Sequence, residues 1–502
     1  MTSFANSNAL NRAKIGVIAQ TVGQLLVGLL GIVLVKIMTT HLDSNEYGIY
    51  STTFALVGTF ALFTNLGINT VTLREIAKFP NKASAVIGHN IGLRLAVCLI
   101  AIPLISLIGF LFYPQASHDF RIAILLMSSY LIFDAVWSTC IVYFSAKVRN
   151  DITSAVMVIQ QLAFLLFVVL AVISKQGLLA YVMAYVSSFA VTALAAYTLT
   201  GKHIRIRPMV NLRIWRQTIG ISIVLGIINA LEQIYHMADS IMLSVLGSIS
   251  QVGIYTVAYS LVGIFLYVPG YIMINLMPII IKTKDESELR QLIQNSFYLL
   301  ACTGMLIPII SYFLGKDMVL FVSNKHYASA ALPFFILTIG TMFSYIAATF
   351  ISTSIALSKQ KGLLLIALAT LVLNIAINLF AIPRYGLIGA ATATAITELF
   401  SLFAIIIQFK RYTKININTF SAFRPIIAAS LSFLVLINID KFWATKIMIF
   451  NLVVGAIIIC VVYAFFLFVI RGMPPVITQS ISDFLSKCQQ LIYPTNIPGV
   501  KK

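Results

Sequence analysis

Apolar runs of about 20 residues, repeated about fourteen times between residues 15 and 470, constrain this chain more than any other feature. In lipid every backbone N–H and C=O must be satisfied within its own segment, so runs of that length can only be membrane-spanning helices. Composition agrees: only 10% of the 502 residues are charged and 60% are hydrophobic. The fold expected is an all-α polytopic membrane protein with about fourteen transmembrane helices. The seventh run, 217–245, and the eighth, 250–281, are long enough to tilt or to extend past the bilayer. The first, from Ile15, is too long for a signal-peptide core and lacks a small-residue cleavage site close behind it.

The formal charge of +19 would suggest a nucleic-acid partner in a soluble protein, but its distribution gives it another meaning. With the N-terminus inside, about 26 of the 34 Lys and Arg fall on the cytoplasmic side, including Lys202, Arg205, Arg207, Arg213 and Arg216 between spans six and seven. The outer side keeps Lys36, Arg121, Lys175, Lys316, Lys325, Arg384, Lys441 and Lys446. Both termini are therefore expected in the cytoplasm, and no nucleic-acid partner is implied. The attraction of the 202–216 loop to anionic membrane lipid needs no special site.

Cys98, Cys140, Cys302, Cys460 and Cys488 contain no C-x-x-C pair, so neither a disulfide framework nor a metal centre is indicated, and no cofactor is expected. No loop is large enough to bury a core of its own, the 439–445 and 315–332 outer loops included. The tail after Arg471 places Ile477, Ile481, Phe484, Leu485 and Cys488 on one helical face, as a helix lying at the inner interface would.

One stretch is written twice. YGIYSTTFALVGTF, from Tyr47, returns as VGIYTVAYSLVGIF, from Val252, about 205 positions later. Gly48, Ile49, Tyr50, Leu56, Val57, Gly58 and Phe60 recur as Gly253, Ile254, Tyr255, Leu261, Val262, Gly263 and Phe265. Both copies open a span after a short polar turn. Spans one to six and seven to twelve then read as two parallel six-helix bundles, 1–205 and 206–412, followed by two additional helices and a cytoplasmic tail in 413–502. Parallel repeats of this kind meet around a substrate site near the bilayer midplane. The plainer alternative is that G-I-Y is a good helix start at an outer interface, where tyrosine sits comfortably.

The helix starts EYGIYS and QVGIYT, the TLREIA segment at 72–77 and NLFAIPRYGLIGAATATAITE at 378–398 resemble those of polysaccharide flippases. These are the O-antigen and exopolysaccharide exporters of the multidrug/oligosaccharidyl-lipid/polysaccharide superfamily. The resemblance covers spans one to twelve in order and spacing, with no single diagnostic motif. It implies translocation of undecaprenyl-diphosphate-linked oligosaccharide units from the inner to the outer leaflet of the bacterial inner membrane, for O-antigen or exopolysaccharide synthesis. It also implies a polysaccharide polymerase of the same pathway as a partner.

Such a cargo has an apolar tail, an anionic diphosphate and a bulky glycan. Diphosphate calls for Arg or Lys facing a cavity, and Lys36, Arg74 and Arg94 are the candidates. Arg94 lies one turn inside span three among apolar neighbours, where it either serves a site or snorkels to the inner interface. Arg74 is alternatively a topological charge beside Glu75, and Lys36 lies close enough to the outer end of span one to snorkel outward. Four acids fall inside spans: Asp134, Glu232, Asp239 and Glu398. Span seven, INALEQIYHMADS, sets Asn229, Glu232, His236 and Asp239 on one helical face. That stripe is a proton- or cation-responsive site, a set of hydrogen-bond partners for sugar hydroxyls, or interhelical glue. A zinc site is disfavoured because the other half supplies no matching His.

Two other classes compete. A cation-coupled small-molecule antiporter of the multidrug type shares the two-bundle plan but usually has twelve spans. A membrane enzyme such as a polymerase or ligase would need a large catalytic outer loop. The longest here is GKDMVLFVSNKHYASAAL, and no catalytic constellation stands out, so the chain reads as a transporter and not an enzyme.

Overall fold

The computed structural model describes residues 2–359, 361–439, 447–474 and 478. The interfacial tail face from Ile477 to Cys488 and most of the 439–445 loop lie outside the described residues. In chain order the helices are α1 (Thr2–His41), α2 (Ser44–Asn65), α3 (Ile68–Lys78), α4 (Ala83–Phe112), α5 (His118–Ser128), α6 (Tyr130–Ala146), α7 (Asn150–Ile173) and α8 (Leu178–Gly201). There follow α9 (Leu212–Leu246), α10 (Ile249–Lys282), α11 (Glu286–Val322), α12 (Ala331–Ala356), α13 (Leu363–Thr413), α14 (Phe423–Ile439) and α15 (Met448–Val469).

Twelve helical segments among the described residues are long and apolar enough to cross a membrane. One of them, α13, turns at Gly386, where φ 56° and ψ −132° are open only to glycine, and so divides into 363–385 and 387–413. Pro383 sits just before that corner. The 35-residue α9 is not among the twelve, so the described residues give twelve candidate spans where about fourteen were expected. Two crossings are broken internally. α2 stops at the left-handed pair Leu66 and Gly67 and restarts as α3, and α5 gives way to α6 at Ser129.

Two compact units divide the chain. One comprises residues 1–261, 319–333 and 367–394; the other comprises 262–318, 334–366 and 395–502. In the first, α2 opens with a capping box: the Asp43 side chain accepts from the amides of Asn45 and Glu46, each at 2.8 Å, and Glu46 accepts from the Asp43 amide. The basic loop after α8 is laid along α4 as an extended strap. Met209 N donates to Gly88 O at 3.0 Å, Ser84 Oγ donates to Arg205 O, and Trp215 Nε1 donates to His89 O at 3.0 Å. Gly88 and Gly92 make room for it, since a Cβ on either would strike a strap carbonyl. The second unit is cored by Phe297, Phe350 and Phe409, against which α14 and α15 pack through Leu436, Ile459 and Tyr463.

Candidate functional site

The two copies of the G-I-Y stretch touch each other. A Cβ on Gly48 would meet the carbonyl oxygen of Ile249, and a Cβ on Gly253 would meet that of Ser44. Ser44 stands to Gly48 as Ile249 stands to Gly253, so the contact is reciprocal. Ser44 Oγ and Ser250 Oγ lie 2.7 Å apart beside it. The glycines therefore recur because the starts of α2 and α10 cross backbone to backbone, a distance of approach that no other residue permits.

Arg94 is fully buried and its guanidinium is surrounded by acceptors. Nη2 pairs with Asp134 Oδ2 at 2.7 Å, Nε donates to Thr64 O at 3.1 Å, and Nη1 donates to Ser138 Oγ and to Thr139 Oγ1, the latter at 3.1 Å. Thr64 lies in the last turn of α2, whose carbonyls lack helical partners because the chain turns left-handed at Leu66, and a cation there also complements the helix dipole. Trp137 Nε1 donates to the other oxygen of Asp134 at 3.1 Å. Arg94 thus neither snorkels nor offers free donors to a phosphate. It ties α2, α4 and α6 together around a neutral ion pair.

The span-seven stripe splits along its length. Glu232 and His236 are exposed, His236 Nδ1 lying 2.8 Å from Tyr259 Oη, and the side chain of Asn229 lies outside those described. Asp239 is buried and accepts from Tyr255 Oη at 2.7 Å, from Asn378 Nδ2 at 2.8 Å and from Thr394 Oγ1. Asn378 also donates to Asn374 Oδ1, one turn earlier, at 3.1 Å. No Lys or Arg pairs with Asp239 among the described residues, so neutral dipoles alone surround this carboxylate. Asn378 Oδ1 and Asn374 Nδ2 are buried without partners.

The remaining candidates scatter. Lys36 donates to the carbonyls of Leu320 and Ser323, capping the C-terminus of α11. Arg74 is exposed on α3 and makes no ion pair with Glu75. Glu398, in the second unit, accepts from Ser344 Oγ at 2.7 Å. Sequence reasoning missed Tyr255 and Thr394 as partners of Asp239, although both lie inside the stretches that carry the flippase resemblance.

The profile of the family described as polysaccharide biosynthesis protein matches residues 14–284, more than half of the chain. The chain belongs to that family. A capsular polysaccharide biosynthesis protein, CapF, of Staphylococcus aureus is 26% identical over 158 residues, covering 31% of this chain and 40% of that protein. Among solved structures, the lipid II flippase MurJ in an inward closed conformation superposes with a TM-score of 0.72 at 13% identity, over 89% of this chain and 98% of that one. An inward-facing multidrug resistance MATE family transporter of the MOP superfamily gives 0.61 at 13% identity, over 81% and 99%. At such identities these likenesses concern the fold, which is that of membrane transporters. The family member is a multi-pass membrane protein of polysaccharide biosynthesis with a flippase-like architecture.

Proposed function

We propose that the protein carries undecaprenyl-diphosphate-linked oligosaccharide units from the inner to the outer leaflet of the bacterial inner membrane, for O-antigen or exopolysaccharide synthesis. Both termini are in the cytoplasm, and the 1–205 and 206–412 bundles alternate access to the site between them. The family match over residues 14–284 carries the reading. A groove of about 680 Å³ between α11, α12, α13 and α14, walled by side chains such as Ile339, Phe343, Leu402 and Phe433, suits the apolar tail of such a cargo. Arg74, exposed and without a hydrogen-bond partner among the described residues, is the group offered to the diphosphate, since Arg94 and Lys36 are bonded within the protein. Deleting the gene should leave lipid-linked repeat units in the inner leaflet and remove the finished surface polymer. Normal polymer in a strain without a second flippase, together with new sensitivity to cationic drugs, would sink the proposal and favour the antiporter.

Asp239 is the coupling group in this reading. A carboxylate held only by neutral donors in a membrane interior is costly unless a proton or a cation joins it, so its occupancy responds to the gradient of that ion. Asp239→Asn should cut transport in proteoliposomes about tenfold or more and make the remainder indifferent to imposed proton and sodium gradients. Retention of the wild-type gradient response would exclude Asp239 as the coupling group.

A further inference from the structure

The N-terminal helices hold a second polar feature that the ion pair alone does not explain. Tyr185, on α8, lies among five other rings: Phe189 at 5.0 Å, Phe164 at 5.4 Å, Tyr130 at 5.5 Å, Phe54 at 5.6 Å and Tyr50 at 6.5 Å between centroids. An aromatic core inside a helix bundle needs no hydroxyls, yet three of these six rings carry one. Tyr50 is 9% and Tyr130 6% exposed. Among the described residues none of the three hydroxyls has a hydrogen-bond partner, and none is sealed from accessible space. Each hydroxyl therefore opens onto space that water or a polar ligand can enter, which is how a phenol without a protein partner is tolerated inside a bundle. The repeat sharpens the contrast, because Tyr255, the counterpart of Tyr50, gives its hydroxyl to Asp239.

The ring cluster continues along α6 from Tyr130 to Asp134, one helical turn on. The Asp134 side chain is 21% exposed while its partner Arg94 is fully buried, so the pair presents its acid and hides its cation. Arg94 and Trp137 take one lone pair from each carboxylate oxygen and leave the others to accept. The set on offer is three phenols that donate or accept and a carboxylate whose charge is already balanced, carried by a packed aromatic cluster. An apolar lipid tail would leave the hydroxyls unpaired. A diphosphate would meet no uncompensated cation. Sugar hydroxyls match the set, since each can donate to the carboxylate and exchange hydrogen bonds with the phenols.

We propose that Tyr50, Tyr130, Tyr185 and Asp134 form a glycan-contact site in the N-terminal helices that takes uncharged sugar hydroxyls of the cargo, with Arg94 as the positioning residue that holds Asp134. This rests on the flippase reading and specifies which chemical part of the cargo these helices bind. The test compares two lipids on the purified protein in nanodiscs: lipid-linked glycan extracted from cells lacking the gene, and undecaprenyl diphosphate without sugar. Tyr50→Phe, Tyr130→Phe and Tyr185→Phe combined remove three oxygens and keep every ring, so Tm should change little. The triple variant should bind the glycan-bearing lipid roughly tenfold or more weakly, and the sugar-free lipid as wild type does. Undiminished binding of the glycan-bearing lipid, or an equal loss for both lipids, would overturn the site and leave the flippase reading standing. Wild-type protein that binds neither lipid would defeat the flippase reading and this site with it.

Discussion

Oxidising a Ser44→Cys/Ser250→Cys pair should bring transport of lipid-linked glycan to background, and reduction should restore it. The two hydroxyl oxygens lie 2.7 Å apart where the Gly48 and Gly253 backbones cross, so thiols there fall within reach of a disulfide. If the proposed alternating access parts the starts of α2 and α10 once per cycle, a covalent link between them forbids it. The readout is paired: the cross-linked fraction by gel mobility, and glycan lipid moved in proteoliposomes before and after reductant. Complete cross-linking with wild-type transport would mean that these helix starts never part. Gly48→Leu acts in the opposite sense, because its side chain cannot fit against the Ile249 carbonyl and holds the crossing open.

Arg94→Ala should destabilise the protein by about 3–5 kcal/mol, enough to lower its yield in the membrane severalfold, because it strands Asp134 without its cation. It also orphans the Thr64 carbonyl at the end of α2. The informative companion is Arg94→Met with Asp134→Leu, which replaces the pair by apolar side chains of similar bulk. That double variant should recover most of the stability, since buried pairs exchange for hydrophobic groups at little net cost. It should not recover transport of the glycan-bearing lipid, because the carboxylate offered to the sugar is gone. Thermal unfolding in detergent measures the first effect and proteoliposome transport the second. Full transport by a stable double variant would reduce Arg94 and Asp134 to a structural tie.

The crossings were legible in the sequence because lipid imposes a length and a polarity on each of them, whatever the neighbours do. Breaks within crossings were less so. Gly67 and Gly386 are visible as glycines, but only the left-handed backbone at each reveals a corner. The acids and Arg94 stood out because intramembrane charge is rare. Their partners did not, since Arg94 and Asp134 meet across 40 positions of chain and Asp239 meets Asn378 across 139. Helical periodicity put Glu232, His236 and Asp239 on one face, as it must, yet it carries no depth, and only Asp239 is buried. The tyrosines around Tyr185 passed as ordinary apolar content because nothing local marks a phenol that lacks a partner.

The reciprocal glycine contact has a symmetry of its own. A segment whose two copies meet each other, Gly48 against Ile249 and Gly253 against Ser44, has the pattern of an interface between two identical molecules about a two-fold axis. Glycine at both positions is what keeps that crossing closed, since a Cβ on either side would strike the other helix's carbonyl. Two residues further on the symmetry ends: Tyr255 gives its hydroxyl to Asp239, and Tyr50 keeps its own unspent.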